Sequence, residues 1–364
     1  MFEFRNTRPT QSERQALRHK ENPYISQPLR SCLEAQSAEN QRNKMIRNIS
    51  ICLAFACLTV VKAFGQQDPQ MTQWFNDLAA FNIGAAGNDD LTHVNIWYRD
   101  QWSGVNGAPV TTMLNAHTKV DFVPGALGLQ LYQDEIGQES NTMVKLGYAY
   151  HLPTLANGAQ IGIGLNVSLF SKSFDANWIA VDDWQSDPAI PGRQGSGTST
   201  DIDFGVFMRK SNEYYAGLSM THVAEVQMTS LNIIPTRHYY FMGGYNYPLN
   251  GEELILRSNV LAKTDLNATA VDVNVNVLWN NFLWGGLTWR QGDAVAPSAG
   301  VQHRLSKKEG ITSSEQVFKV GASFDVTTSE LNSYTPGTAE VFVSWAFKFL
   351  TTPVENKYAN PRFL

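Results

Sequence analysis

The stretch Tyr98-Arg99-Asp100-Gln101-Trp102-Ser103-Gly104-Val105-Asn106-Gly107-Ala108-Pro109 separates two segments of alternating hydrophobicity in this chain of 364 residues. Residues 94–99, which lead into it, and residues 111–120, which follow it, have the period of β-strands. The glycines and the proline between them suit tight turns and left-handed backbone. The stretch therefore predicts a β-hairpin, and its loop also carries the side chains of an arginine, an aspartate and a tryptophan.

The same alternation continues from Leu91 to Phe349, where we find no amphipathic helical pattern. Side chains on a strand face opposite sides in turn, so each alternating run has one apolar and one polar or small face. In residues 161–169, for example, Ile, Leu and Val alternate with Gly, Asn and Ser. About fourteen such runs are present. They start near Leu91, Thr111, Gly125, Asn141, Gln160, Asp201, Tyr214, Arg237, Leu254, Val271, Leu283, Ala294, Glu315 and Thr338.

The lengths of the runs and of their connections favour a membrane barrel. Many runs have about 9–11 residues, the length at which a tilted strand crosses a bilayer. Short connectors at 138–140, 210–213 and 250–252 alternate with longer ones such as 175–200. Short turns at one rim and long loops at the other are typical of outer-membrane barrels. A soluble β-sandwich also alternates, but its strands are usually shorter.

Aromatic residues near the ends of the runs favour the same fold, because interfacial girdles would place them there. They occur at 97–98, 148 and 150, 214–215, 239–240, 245 and 247, and 279 and 284. We therefore predict an all-β fold, a transmembrane outer-membrane β-barrel of about 14 antiparallel strands over residues 91–350. Residues 66–90 are predicted to be a lead-in or plug segment, with helical turns between Met71 and Ala80, and residues 351–364 to be a C-terminal tail.

The chain before the barrel has the features of a targeting segment. Met45-Ile46-Arg47-Asn48 is a positive start, residues 49–64 form a short apolar run, and Ala63-Phe64-Gly65 is a small-residue exit. This is the pattern of a secretory signal peptide over residues 45–65. A transmembrane anchor would need roughly 20 apolar residues, and this run is shorter and contains Lys62. Residues 1–44 are interpreted as a disordered or non-native leader, with translation starting at Met45.

In the chain after the predicted signal peptide, composition argues against cysteine chemistry and against nucleic-acid binding. The three cysteines, Cys32, Cys52 and Cys57, all precede Gly65, which leaves no disulfide or thiolate downstream. Ten of the 28 basic residues and five of the 33 acidic residues precede Gln66, so the remainder carries 18 basic and 28 acidic residues and a net charge of −10. Because binding of phosphate backbones needs a basic face, nucleic acid is not an expected partner.

The opening stretch resembles a motif of the PorP/SprF family of Bacteroidetes outer-membrane proteins, Tyr-Arg-x-Gln-Trp-x-Gly-x-x-Gly-Ala-Pro followed by a strand that ends in Ala-His. The matching positions are Tyr98, Arg99, Gln101, Trp102, Gly104, Gly107, Ala108, Pro109, Ala116 and His117. Residues 67–70, 329–334, 339–341 and 360–364 are similar to other parts of the family. The chain departs from it at Phe75-Asn76-Asp77 and Phe81-Asn82-Ile83, where members usually have proline after asparagine.

The resemblance implies a non-enzymatic role in type IX protein secretion and, in some members, in gliding motility. Family members act in the outer membrane after cleavage of the signal peptide. They help to move cargo proteins with C-terminal signals to the surface or to hold them there. The implied partners are outer-membrane lipid, type IX components, cargo, and periplasmic secretion or peptidoglycan-associated proteins. The residues leave two rivals open: a transport barrel for small hydrophobic solutes, and a membrane hydrolase with Ser, His and an acid at one rim.

Two groups of residues are candidates for contacts with partners. The first is the motif, in which Arg99, Asp100 and Trp102 form a binding loop or, alternatively, Arg99 pairs with an acidic residue inside the barrel. The glycines and Pro109 need no role beyond turn geometry. The second is the longest loop, where Trp178, Asp182, Asp183 and Trp184 could anchor a protein. Oxygen-rich loops can bind calcium, but this spacing matches no cation motif. No catalytic residue, cofactor or metal site is predicted.

Overall fold

The computed structural model describes residues 68, 70–89, 91–120, 124–175, 195–251, 253–309 and 312–348, all within one compact unit. Fourteen strands make up most of this part of the chain. They are β1 (Thr92–Asp100), β2 (Val110–Val120), β3 (Gly125–Ile136), β4 (Glu139–His151), β5 (Ala159–Phe174), β6 (Gly195–Lys210), β7 (Tyr214–Thr221), β8 (His238–Asn250), β9 (Leu254–Thr264), β10 (Thr269–Trp279), β11 (Leu283–Arg290), β12 (Ala294–Glu309), β13 (Thr312–Thr327) and β14 (Thr338–Phe347).

The strands form one closed antiparallel barrel. Each strand pairs with its neighbours in sequence, and β1 closes the sheet on β14 with a register from Thr92↔Phe347 to Asp100↔Ala339. The predicted outer-membrane-type barrel of about 14 strands is thereby confirmed. Among the described residues, no helix has the length and hydropathy needed to cross a membrane.

Alternation along each strand separates a lipid-facing surface from the interior of the barrel. On β14, Val341, Val343 and Trp345 are exposed on the outer face, whereas Glu340 and Ser344 are buried inside. The other strands repeat this arrangement, because neighbouring side chains on a strand face opposite sides. A barrel in a membrane needs this pattern, since its outside contacts hydrocarbon and its inside does not.

The aromatic residues near the strand ends do not all belong to girdles. Tyr98 is 50% exposed on the outer face, but its neighbour Trp97 is fully buried in the lumen. Tyr240 and Trp284 also point inward and are buried. The girdle interpretation is wrong for these three side chains. Two consecutive residues on a strand cannot both face lipid, so one member of each consecutive pair has to point into the lumen.

The two rims differ in the length of their connections. At the short-turn rim, where β1 begins and β14 ends, the connections are residues 121–124, 152–158, 211–213, 251–253, 280–282 and 310–311. At the long-loop rim they include residues 101–109, 175–194, 222–237 and 328–337. The predicted separation is incomplete, because the long-loop rim also has three short connections, at residues 137–138, 265–268 and 291–293. The first of them is the short connector predicted near residue 138, which joins β3 to β4.

Residues 70–89, which we call the lumenal segment, pack inside the barrel before the chain enters β1. They form three short 3₁₀ turns, Trp74–Asn76, Leu78–Ala80 and Ile83–Ala85. The side chain of Asp77 accepts the Ala79 N–H, and that of Asn82 accepts the Gly84 N–H, so each side chain caps the turn that follows it. The main hydrophobic core lies between this segment and the wall, and includes Met71, Trp74, Ile83, Met113, Tyr132, Phe207 and Phe342.

Candidate functional site

A buried ionic cluster holds the start of the lumenal segment to the wall. On β1, Arg99 Nη2 lies 2.8 Å from Asp325 Oδ2 of β13, and Arg99 Nη1 lies 3.0 Å from Glu340 Oε2 of β14. The Glu340 carboxylate also accepts the backbone N–H groups of Thr72 and Gln73, each at 2.7 Å. One carboxylate therefore links an arginine of the wall to the backbone of the segment.

A second arginine extends this cluster across β10 and β11. Arg290 donates from Nη1 to Asp325 Oδ2 at 2.8 Å and from Nε to Asp272 Oδ1 at 3.1 Å. At the centre, the Thr72 hydroxyl donates to Asp325 Oδ1 at 2.7 Å and accepts from Arg99 Nη1 at 2.9 Å. We call Arg99, Asp272, Arg290, Asp325 and Glu340 the ionic cluster; all five are buried. Buried charges are tolerated when they are paired and hydrogen-bonded, as they are here.

His117 is the second motif side chain that contacts the lumenal segment. Its Nε2 lies 3.4 Å from Asp77 Oδ1, and its Nδ1 accepts the Gly87 N–H at 3.2 Å. The Asp77 carboxylate also accepts from the side-chain amides of Asn95, at 2.5 Å, and Asn115, at 2.6 Å. Strands β1 and β2 thus fix the middle and the end of the segment by polar contacts.

Shape fixes the turn Ile83–Ala85 on the opposite wall. Small residues leave room there: a Cβ added to Gly164 on β5 would lie 2.7 Å from Ile83 Cγ2 and 2.9 Å from the Gly84 nitrogen. The Asn82 side chain donates to the carbonyls of Val206 on β6 and Leu218 on β7, each at 3.0 Å. Residues 82–84 fit against a set of glycines that we call the glycine cradle, namely Gly128, Gly147, Gly162, Gly164, Gly205 and Gly217.

Asp68, which precedes the segment, is bound at the long-loop ends of β7, β8 and β9. Its carboxylate accepts from the Thr221 hydroxyl at 3.0 Å and the Tyr240 hydroxyl at 2.7 Å. Lys263 Nζ donates to its backbone carbonyl at 2.6 Å. From this anchor the chain runs through the lumen to Gly87, which packs against Ala126 near the short-turn rim.

His222 has a carboxylate at each ring nitrogen. Its Nδ1 lies 3.1 Å from Asp201 Oδ2, and its Nε2 lies 3.4 Å from Asp68 Oδ1. Burial opposes the charged ring, but the hydrogen bonds to Asp201 and Asp68 outweigh it and raise the pKa of His222 to about 10. A histidine that is already protonated cannot accept a proton, so this one is unsuited to the general-base role of a hydrolase.

The loop of the motif is closed by backbone hydrogen bonds. The Gln101 N–H donates to the Pro109 carbonyl at 2.9 Å. Trp102 adopts a left-handed backbone, with φ of 50°, and its N–H donates to the Thr338 hydroxyl at 3.0 Å. These bonds fasten the loop between β1 and β2 to the start of β14.

The remaining motif residues shape the same loop. Gly104 and Gly107 have φ angles of 87° and 77°, where a side chain would be strained. The Ala108 N–H donates to the Val105 carbonyl at 3.2 Å. Tyr98 lies on the outer face beside the loop. The motif therefore divides into a part that shapes the loop and two side chains, Arg99 and His117, that bind the lumenal segment.

Sequence reasoning missed most residues of these contacts. They are Thr72 and Asn82 on the lumenal segment, and Asp272, Arg290, Asp325 and Glu340 on the wall. A signal for some of them was present, since Asp272 and Glu340 occupy polar positions beside apolar residues in predicted strands. The predicted contact loop with Trp178, Asp182, Asp183 and Trp184 lies outside the described residues and stays a prediction.

A small cavity lies beside these contacts. The cavity has a volume of about 50 Å³ and lies between the segment and β2–β8, with Met71, Phe81, Tyr132 and Lys145 among its lining residues. Within the described residues, no group of three His, Cys, Asp or Glu side chains is arranged to hold a metal ion.

Solved outer-membrane proteins resemble this chain at low sequence identity. The toluene transporter TbuX of Ralstonia pickettii is 11% identical, with 75% of this chain and 93% of that chain covered and a TM-score of 0.44. A FadL homologue of Pseudomonas aeruginosa is 11% identical, with coverages of 74% and 93% and a TM-score of 0.41. Phospholipase A of the Escherichia coli outer membrane is 10% identical, with coverages of 72% and 97% and a TM-score of 0.32. Among curated proteins, no relative matches.

A family model gives the assignment. The model described as type IX secretion system membrane protein PorP/SprF matches residues 63–345. That range includes the quoted motif, the lumenal segment and every member of the ionic cluster. The resemblance noted in the sequence is confirmed, and the chain belongs to the PorP/SprF family of type IX secretion system membrane proteins.

Proposed function

We propose that this protein is a non-enzymatic outer-membrane component of type IX secretion that assists the translocation or surface attachment of cargo proteins with C-terminal signals. Membership of the PorP/SprF family supports the secretion role, and the barrel with its apolar outer face supports the location. The observation that carries the proposal is the lumenal segment, which is bound to opposite walls of the barrel. A barrel filled in this way acts through its rims.

The lumenal contacts favour this function over transport of small hydrophobic solutes. The segment is held by Glu340 on one side and by Val206 and Leu218 on the other, so it crosses the interior. The cavity beside it, about 50 Å³, is far below the roughly 300–1,000 Å³ of ordinary ligand pockets. A solute would have to displace the segment, together with its buried ionic contacts.

The unequal rims give the proposed orientation. Outer-membrane barrels have short periplasmic turns and longer outer loops. The long-loop rim, with the motif loop at 101–109 and the predicted contact loop at 175–194, would then face the cell surface. Cleavage of the predicted signal peptide at 45–65 would leave only a short stretch before Asp68. Because Asp68 is bound at the long-loop rim, the mature chain would begin near that rim. Lipid would surround the wall, and secretion partners and cargo would meet the rims.

Deletion of the gene, followed by measurement of surface display of a reporter with a C-terminal secretion signal, tests the proposal. We expect display to be lost, uptake of small hydrophobic solutes to be unchanged, and a wild-type copy to restore display. In a gliding strain, the same deletion should also slow gliding. Normal display together with lost solute uptake would contradict the proposal and favour a transport barrel.

A further inference from the structure

Two hairpins of the barrel extend past their neighbours, one at each rim. β5 and β6 pair from Ala159↔Lys210 to Phe174↔Gly195 at the long-loop rim. β12 and β13 pair as far as Glu309↔Thr312 at the short-turn rim. All four strands have 16 residues, whereas about 9–11 are enough to cross a bilayer. Part of each hairpin must therefore project beyond the membrane.

The projecting part of β12 has an open edge. Pairing with β11 stops at Leu283↔Val301, and the last contact on that side is the Gln302 N–H donating to the Phe282 carbonyl at 2.7 Å. Beyond it, β12 pairs with β13 alone among the described residues. Residues 303–306 are exposed. Unpaired backbone on such an edge can pair with a further strand.

The direction of the backbone groups follows from the Gln302 bond. In an antiparallel ladder the N–H and C=O of one residue point to the same side, and successive residues alternate. Gln302 points towards β11, so Arg304 and Ser306 point their N–H and C=O towards the same, open side. His303 and Leu305 point theirs towards β13. The open edge thus offers alternating donors and acceptors, which is what an added strand needs.

The other long hairpin shows how the chain covers such an edge. β6 loses its partner β7 beyond Phe204↔Met220. The loop that follows β7 then takes over, because the Val223 N–H donates to the Ile202 carbonyl at 2.9 Å. Further along, the Ser230 hydroxyl donates to the Ser196 carbonyl at 2.6 Å. One projecting edge is therefore covered by the protein's own loop, and no described segment covers the other.

The chemistry of the open edge selects the type of strand that fits. Its sequence, His303-Arg304-Leu305-Ser306-Lys307-Lys308, carries three positive charges and no negative charge, and one of them, Arg304, also pairs with Glu315 of β13 at 3.2 Å. Opposite charges on neighbouring strands stabilise their pairing, and like charges oppose it. A second copy of the same edge would bring like charges together, so pairing between copies is disfavoured. An acidic strand is favoured, and the exposed Leu305 gives it an apolar contact.

We propose that residues 303–308 of β12 are a docking edge to which an extended, acidic segment of a periplasmic protein adds as a strand. The proposal rests on the proposed function for its location, since the short-turn rim faces the periplasm in that orientation. Anionic lipid headgroups could meet the positive charges. They could not, however, supply the alternating donors and acceptors that the backbone of Arg304 and Ser306 would pair with.

A labelled peptide and two matched proline variants test the edge. The probe is a fluorescein-labelled decapeptide that alternates Glu with Thr and Val, and its binding to the barrel in neutral detergent is followed by fluorescence anisotropy. Ser306→Pro removes an N–H from the open edge without removing a bond to β13, and proline is tolerated on edge strands. We expect it to weaken binding at least tenfold. Thr198→Pro makes the equivalent change on the covered edge of β6 and should leave binding unchanged.

Amide hydrogen exchange gives a second readout. The amides of Arg304 and Ser306 should exchange rapidly in the free barrel and slowly with the peptide bound. Folding of each variant is checked by its heat-modifiable gel mobility. If Ser306→Pro does not fold, Arg304→Glu takes its place. It keeps the backbone intact, and we expect it to weaken binding as well. Equal affinity for wild type and the folded variants would overturn the proposal. So would tight binding of phosphatidylglycerol vesicles together with peptide binding that does not protect these amides.

The peptide-binding and gene-deletion experiments together distinguish a failure of the docking edge from a failure of the proposed secretion role. Unchanged cargo display after gene deletion would refute the secretion role, while peptide binding and amide protection would still establish the edge. Lost display after deletion, combined with unchanged peptide affinity and normal display in Ser306→Pro cells, would refute the edge and leave the secretion role standing.

Discussion

The two walls of the barrel hold the lumenal segment by different physics. Near the long-loop rim, β1, β11, β13 and β14 bind Thr72 through the ionic cluster, in which each charge is buried and paired. On the other wall, the turn at Ile83 lies in the glycine cradle, where the contact depends on volume and on the hydrogen bonds of Asn82. The same short segment is thus held by charge on one side and by shape on the other.

The difference determines how each wall should respond to change. A buried ion pair is not strongly stabilising in itself, but removal of one partner leaves an uncompensated charge and is strongly destabilising. A close-packed contact responds instead to the volume that is added, because neighbouring atoms must move. The ionic cluster should therefore fail abruptly when it loses one member, and the cradle should weaken in proportion to the intrusion.

The largest effect is expected for Arg99→Ala. The substitution leaves Glu340 buried with only the N–H groups of Thr72 and Gln73, and it removes a positive charge from Asp325. We expect a loss of roughly 3–5 kcal/mol of stability. Thermal unfolding by heat-modifiable gel mobility should show it, and limited proteolysis should show earlier release of the lumenal segment.

Arg304→Ala is the matched control for this change. Arg304 Nη1 lies 3.2 Å from Glu315 Oε1, but the arginine is 67% exposed. An exposed pair contributes only about 0–1 kcal/mol, so this variant should melt close to wild type. Equal melting of the two arginine variants would mean that burial of the charges is not what makes the first wall sensitive.

A smaller effect is expected for Gly164→Ala in the cradle. The new Cβ would meet the Ile83 side chain and the Gly84 backbone, which cannot rotate away. Overpacking of this kind costs about 1–3 kcal/mol, measured as above. Gly285→Ala is the control, because its Cβ would come no closer than 3.7 Å to the Ser298 carbonyl oxygen. If the two alanine variants are equally stable, the cradle is not tightly packed around Ile83.

A double variant sharpens the cradle interpretation. A Cβ on Gly128 would lie 2.7 Å from Ile83 Cδ1, its main close contact. Ile83→Val removes that atom, so it should recover most of the stability that Gly128→Ala loses. Residues in contact show such coupling, whereas independent sites add. Additive losses in the double-mutant cycle would contradict a direct contact between the two side chains.

The strands were largely predictable because alternation is a local signal. β3, β7, β9, β11, β12 and β14 begin at the residues at which their runs were predicted to begin. β6 is the clearest miss, since it begins at Gly195 and not near Asp201. Its first residues are Gly, Ser and Thr, which lack the apolar positions that mark a run. Pairing with β5 is what makes that stretch a strand.

The contacts of the lumenal segment were mostly beyond local reasoning. The Thr72 N–H and the carboxylate of Glu340 are 268 positions apart in sequence, and only closure of the barrel brings them together. The inward direction of Trp97 follows from strand parity once Tyr98 is assigned to lipid. The glycine cradle gave no signal of its own, because a glycine in a strand is as consistent with a bulge as with a close contact.

The smallest effect concerns the anchor at Asp68, which is sensitive to pH. The pKa of His222 is raised to about 10 by Asp201 and Asp68 against the opposing effect of burial, compared with about 6.5 in an unfolded chain. The stabilisation is therefore complete below about pH 6.5 and is lost as the pH rises through 10. Amide exchange at residues 70–73 should accelerate between pH 7 and 10, beyond the intrinsic increase, and His222→Gln should abolish that excess. The effect should be modest, because the hydroxyls of Thr221 and Tyr240 also bind Asp68. An identical excess in wild type and variant would place the pH sensitivity elsewhere in the lumen.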